Sequence, residues 1–193
     1  MRKIPRELDH PFENILVDGA EIVSPYFRQL NFTPNMITTV SNVFSLLAVY
    51  CVYVRQFPAA AVLWIIGFFF DCVDGYYARK YKMVSQFGDL YDHISDVVIY
   101  ILLWATLFFI DVKLFALFFS INAFICIMMS VHLGCQEVYH NTDDSPALES
   151  SKRLCPANNK RELVEQMKYT RFFGPGTLAC YIAAVLLIYG GYH

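Results

Sequence analysis

Charge is scarce in this chain. Asp, Glu, Lys and Arg make up 17% of its 193 residues, against about 25% in soluble domains, and aromatic residues alone match that share. The formal net charge is -2, so there is no basic surplus to neutralise a phosphate backbone, and nucleic acid is excluded as a partner on that ground. The six cysteines, at 51, 72, 126, 135, 155 and 180, include no C-x-x-C pair, and most stand in apolar runs. That pattern reads as small buried hydrophobes, neither a disulfide framework nor a zinc site. A secretory leader is also missing, because acidic and polar residues follow Arg2, Lys3 and Arg6 where an apolar core would be needed. No internal repeat or low-complexity tract stands out. What abounds is hydrophobic side chain, 56% of the total, which makes the bilayer the expected solvent.

The apolar runs set the organisation. The first covers about residues 34–57 and the second begins after Pro58, purely apolar from 59 to 70. Twelve residues cannot cross a core about 30 Å thick, which takes about 20. The second helix must therefore continue through Asp71, Asp74 and Arg79. Residues 97–110 are likewise too few, and the stretch before them, 88–96, holds three aspartates. Asp111, Val112 and Lys113 form a tight turn before a fourth run over 114–133, and a last run covers about 172–189. Between them, 135–170 reads as a polar loop, with turn signals at 141–146 and 156–159 and one short surface helix over 161–168. Upstream, Phe12, Ile15, Leu16, Ala20, Ile22 and Val23 alternate with Glu13, Asp18 and Glu21 at helical spacing, which predicts an amphipathic helix at the membrane interface.

The expected fold is therefore all-α, a polytopic transmembrane bundle of about five spans with an N-terminal interfacial amphipathic helix. It forms one domain over 1–193: the amphipathic helix at 11–30, motif-bearing helices over 34–134, a cytoplasmic loop over 135–170 and the last span over 171–190. Lys and Arg cluster on one side, with only Arg55 and Lys113 on the other, so the acidic end is expected to face the cytoplasm.

The chemistry concentrates at residues 71–96. Asp71, Asp74 and Ala78 share a helical face, as do Asp92 and Asp96. Two antiparallel helices joined by a short loop can aim four carboxylates into one space. Each ionised carboxylate inside a span costs roughly 2.5–3.5 kcal/mol, and four would repel one another. Hard divalent cations resolve both problems, since all-oxygen ligands favour Mg2+ or Mn2+. Gly75 and Ala78 let a ligand approach the backbone, and Arg79 offers a forked donor suited to phosphate. Gly88 permits close contact where the third span begins. Ser85 could cap that span or reach a nucleotide.

These residues resemble, position for position, the signature of the CDP-alcohol phosphotransferase family, D-x-x-D-G-x-x-A-R-x8-G-x-x-x-D-x-x-x-D. Pro34, Asn35 and Thr38 look like that family's P-N-x-x-T element. The resemblance implies that Asp71, Asp74 and Asp92 bind two divalent metals, Mg2+ or Mn2+, with Asp96 a ligand or nearby and also the general base. It assigns Gly75, Ala78 and Arg79 to the CDP moiety, with Asn35, Thr38, Ser85 and Gly88 alongside. An alcohol hydroxyl would attack the phosphorus distal to cytidine and CMP would leave. The implied partners are a CDP-linked donor, an alcohol acceptor, the bilayer and a second copy of the chain. Family members usually have six spans, and five are legible here.

Other readings stay open. Chain length favours CDP-diacylglycerol as donor, while the Asp92-His93 pair resembles the choline and ethanolamine branch acting on diacylglycerol. Outside this class, intramembrane aspartates also mark cation transporters, and an inactive scaffold homologue is a third reading. Asp89 reads as structural at a helix start. His93 is a site neighbour or an interface residue, and His132 and His140, near the cytoplasmic end of the fourth span, could face the site but read first as core or solvated groups. Lys152, Arg153, Lys160 and Arg161 could attract an anionic lipid head or a phosphorylated acceptor but read first as an ordinary positive-inside loop, and Arg171 is the better candidate for acceptor contact.

Overall fold

A computed structural model describes residues 2–140 and 151–192. Among these there is no strand. The helices are α1 (Pro11–Gln29), α2 (Pro34–Tyr53), α3 (Phe57–Lys80), α4 (Gln86–Ile110), α5 (Val112–His140), α6 (Lys160–Thr170) and α7 (Pro175–Tyr192), with a 3-10 turn at Arg171–Phe173 before the last. Among the described residues, five segments are long and apolar enough to cross a membrane: α2, α3, α4, α5 and the stretch Lys160–Tyr192. The all-α bundle expected from the sequence is thus the fold observed.

Local chemistry fixes where the helices begin. Proline occupies the first turn of α1, α2 and α3, where a missing N–H costs nothing. Thr33, Ser85 and Asn159 cap α2, α4 and α6 through side-chain oxygens. Asp111 Oδ1 accepts from Lys113 N and Leu114 N, at 2.9 and 3.0 Å, and so starts α5 one residue after α4 ends.

Two readings of the 135–170 region are corrected. α5 runs through to His140, so residues 135–140 are helix, not loop. This last stretch of helix still carries Cys135, Val138 and Tyr139, and the N-terminal segment packs on it through Ile4 and Leu8 beside Cys135 and through the Lys3–Glu137 pair. The turn signal at 141–146 lies outside the described residues. Cys135 and Cys155 form a disulfide with Cα atoms 4.9 Å apart, against the expectation of buried thiols. Their 20-residue separation gives no spacing cue, because Cys155, in the segment before α6, meets α5 only in three dimensions.

α3 is central, packing on α1, α2 and α7, while α4 leans on α2. Lipid tails are as apolar as leucine, so close approach of small residues holds such helices. Gly67 on α3 lies against Ser41 and Ser45 of α2, leaving no space for a Cβ, and Ser41 Oγ donates to Gly67 O at 2.9 Å. One apolar core, including Val52, Phe57, Leu103, Leu107, Leu186 and Tyr189, closes the end away from the aspartates. At the aspartate end, Ile4 and Leu8 of the N-terminal segment pack with Cys135, Leu163 and Met167.

Candidate active site

The aspartates lie well inside their helices. Asp71 is nine residues from the end of α3, and Asp92 and Asp96 are six and ten residues into α4. At 1.5 Å per residue that places them roughly 9–15 Å along the axes. One carboxylate oxygen each from Asp71, Asp74 and Asp92 lies within 4.8 Å of the others. Asp74 is buried, and its Oδ2 accepts a 2.6 Å hydrogen bond from Thr38 Oγ1 on α2. Asp92 Oδ1 is enclosed and accepts no hydrogen bond. An enclosed, unsatisfied carboxylate oxygen beside two more carboxylates is costly without a cation. The all-oxygen donor set fits a hard divalent ion.

Two cavities meet at this cluster. The larger, about 440 Å3, is walled by Asn35 and Thr38 from α2 and by Gly75, Ala78 and Arg79 from α3. Ser85 and Gly88 at the start of α4 complete it, with Asp74 and Asp92 at its base. A Cβ on Gly88 would come within 2.8 Å of Asn35 Oδ1, so glycine is what allows α4 to start this close to α2. Ser85 caps α4 by accepting from Gly88 N at 3.1 Å while also lining the cavity.

The smaller cavity, about 210 Å3, shares Asp74, Gly75, Arg79 and Asp92 with the larger and adds Asp71. Its far wall comes from segments that the sequence motif does not reach: Asp9, Glu13 of α1 and Gln136 of α5. Glu13 Oε1 accepts from Gly176 N, at the start of α7, at 2.6 Å. Burial pushes the Glu13 carboxyl up to about 8, with Asp9 adding to the rise and the Gly176 N–H opposing it. Asp9 is also raised, chiefly by burial.

Arg2 and Lys3 line both cavities. Arg2 Nη1 donates to Asn14 Oδ1 at 2.6 Å, and its guanidinium also pairs with Asp18. Lys3 forms an ion pair with the buried Glu137. Neither these two cations nor Asp9 and Glu13 were singled out as part of a site from the sequence. The signal available was only that Arg2 and Lys3 are basic and Glu13 belongs to an amphipathic pattern.

The remaining candidates separate. Asp96 shares the α4 face of Asp92 and sits in electrostatic range of Asp71 and Asp92, but it lies outside the three-carboxylate group and lines neither cavity. Asp89, His93 and His140 line the larger cavity, and His93 Nδ1 is 2.8 Å from Asp89 O. His132 is fully buried, bound to Thr170 Oγ1 at 2.9 Å and Gln136 Nε2 at 3.0 Å. Arg171 and the basic residues 152, 153, 160 and 161 line neither cavity. Instead Arg171 Nη1 donates to Glu7 O at 2.7 Å.

Carboxylates gathered inside facing helices, with a cavity beside them lined by glycine and basic residues, make an arrangement that suits a phosphate-bearing ligand. The sequence model of the CDP-alcohol phosphatidyltransferase family matches residues 31–189, and the chain belongs to that family. An archaetidylinositol phosphate synthase from Pyrococcus horikoshii is 32% identical over 96 residues, 50% of this chain and 47% of the relative. A CDP-diacylglycerol–glycerol-3-phosphate 3-phosphatidyltransferase from Mycoplasma pneumoniae is 50% identical over 38 residues, 20% of this chain and 17% of that protein. The matched regions thus span about half or less of these relatives. No solved structure matches significantly.

Proposed function

We propose that this chain transfers a substituted phosphate from a CDP-linked lipid, CDP-diacylglycerol, to an alcohol hydroxyl and releases CMP. The observation that carries the reading is the pair of cavities meeting at Asp74, Gly75, Arg79 and Asp92. A transferase of this kind must hold two substrates on either side of the reacting phosphorus. The name of the Mycoplasma pneumoniae relative, which specifies CDP-diacylglycerol, supports the donor.

In this reading Asp71, Asp74 and Asp92 hold two divalent cations, Mg2+ or Mn2+, with Asp96 adjacent. The ions supply charge neutralisation for the pyrophosphate and the leaving CMP. Thr38 fixes the Asp74 carboxylate by its hydrogen bond. Arg79 directs a forked donor at the pyrophosphate, and Gly75 and Ala78 leave the α3 surface low enough for the nucleotide to lie against it. Asn35, Ser85 and Gly88 form the opposite wall. Asp96, one turn along α4 from Asp92, is the base that takes the proton from the acceptor hydroxyl.

The one-domain organisation over 1–193 belongs to this proposal. Large exposed apolar residues on α1, Ile15, Ile22 and Tyr26, with Leu30 at its C-terminal cap, support its lying in the membrane interface. The excess of Lys and Arg at the aspartate end supports a cytoplasmic site.

The test is CMP release by the purified chain in lipid with CDP-diacylglycerol, Mg2+ and a panel of alcohols. Wild type should release CMP, and Asp96→Asn should lose turnover while still binding donor. Full turnover by Asp96→Asn would remove the base assignment, and metal flux into liposomes without CMP release would favour a transporter.

A further inference from the structure

We infer that Gln136 orients the second substrate through its side-chain carbonyl oxygen, which accepts a hydrogen bond in the smaller cavity, and that His132 and Thr170 are the residues positioning it. This deepens the transferase reading and rests on it. Gln136 stands one turn after His132 on α5, and the acidic motif over 71–96 includes neither.

A chain of hydrogen bonds decides which end of the Gln136 amide meets the cavity. Thr170 Oγ1 donates to Gln166 O at 3.1 Å, because a backbone carbonyl only accepts. The hydroxyl has one proton, so at its 2.9 Å contact with His132 Nδ1 it accepts, and Nδ1 carries the ring proton. His132 is fully buried and both of its partners are neutral, so no counter-charge offsets a second proton. Its Nε2 is therefore bare and accepts from Gln136 Nε2 at 3.0 Å.

The amide nitrogen of Gln136 is thus spent on His132, and the carbonyl oxygen is turned the other way. That oxygen accepts no hydrogen bond among the described residues, and it is not enclosed by protein. The residue is only 6% exposed and lines the smaller cavity, so its accessible oxygen faces that space. Asp71, Asp74 and Asp92 line the same cavity of about 210 Å3. A molecule that offers one hydroxyl to the aspartates can therefore meet Gln136 with another O–H or N–H donor. The oxygen is uncharged, so it fixes orientation without selecting for or against a phosphate elsewhere on the molecule. Thr170 ends α6, which ties the set of that carbonyl to the packing of α6 on α5.

The assay is CMP release by the full chain in phosphatidylcholine vesicles with CDP-diacylglycerol and Mg2+. Glycerol, inositol, serine and their phosphomonoesters are the acceptors, and kinetics are taken with the fastest. Gln136→Met keeps the length and removes the carbonyl; it should raise the acceptor KM about 5-fold or more and leave the CDP-diacylglycerol KM within about 2-fold. His132→Leu should raise the acceptor KM in the same way. His132→Gln, which offers Gln136 Nε2 an amide oxygen, should restore most of the loss. The double variant Gln136→Met, His132→Leu should show no further rise, because His132 acts through Gln136. Melting temperature reports the folding of each variant, and a purely structural role would lower it without this KM pattern. If His132→Leu does not fold, Gln136→Met and His132→Gln decide the matter. An unmoved acceptor KM in Gln136→Met, or rises that add in the double variant, would overturn the inference and leave the transferase reading standing. No CMP from wild type with any of the six acceptors would overturn both.

Discussion

Lys3→Met tests the attachment of the N-terminal segment over the site. Lys3 pairs with Glu137, whose side chain is 2% exposed while that of Lys3 is 20% exposed. Methionine keeps most of the aliphatic stem and removes only the charge. Glu137 is then left buried and uncompensated, a situation that costs about 3–5 kcal/mol in well-buried pairs. The partial exposure of Lys3 puts the cost here near the lower limit, about 3 kcal/mol. For a chain of this length each kcal/mol moves the melting temperature by about 2–4 °C, so a loss of about 6–12 °C is expected. The double variant Lys3→Met, Glu137→Gln should recover more than half of it, because the stranded charge is gone. Melting in detergent at low and high salt is the assay, and salt should change the difference little, since a buried pair is poorly screened. A loss below about 2 °C, or no recovery in the double variant, would refute the claim that this pair secures the segment.

Three further outcomes follow from the same geometry. Glu13 is raised in the folded chain to about 8, so folded protein keeps a proton that unfolded protein has released; stability should fall as pH rises from about 4.5 to about 8, and Glu13→Gln should flatten that slope in melting temperature. Thr38→Val removes the 2.6 Å hydrogen bond to Asp74; bonds to charged groups are worth about 1.5–3 kcal/mol, so CMP release should drop about 10-fold and need more Mg2+, while Thr38→Ser retains most activity. Arg55 sits at φ 61° in the α2–α3 turn, where an L side chain costs about 1–2 kcal/mol, so Arg55→Gly should raise the melting temperature by about 2–4 °C or more, and an unchanged value would show the strain is absent.

The helices and the carboxylate trio were legible because each rests on a short-range rule. Apolar runs too short to cross forced α3 and α4 to absorb Asp71, Asp74 and Asp92, and helical spacing placed those aspartates on inward faces. The smaller cavity was not legible in that way. Asp9, Glu13, Gln136 and Lys3 come from three places in the chain, and nothing local marks them as neighbours. Glu13 looked like one polar residue on an amphipathic helix, and only the packing of α1 against α3 and α7 turns it inward. The Cys135–Cys155 pair was hidden for the same reason, since each cysteine taken alone is an ordinary small hydrophobe. Arg171 drew attention by its place at the mouth of the last span, yet its guanidinium is tied to Glu7 O and lies over the Phe172 ring.

The depth of the aspartates within α3 and α4 has a kinetic consequence. On the transferase reading proposed above, a reaction centre about 10 Å along the helices from their ends would lie beneath the plane of lipid headgroups, so a lipid donor would arrive from a surface and a soluble acceptor from a volume. The lipid donor comes sideways, and its encounter rate follows its mole fraction in the membrane, not its amount per litre. The soluble acceptor descends from the water phase and obeys ordinary bulk concentration. Adding inert lipid at constant total donor should therefore slow the enzyme as though donor had been removed, while leaving the acceptor's half-saturating concentration where it was.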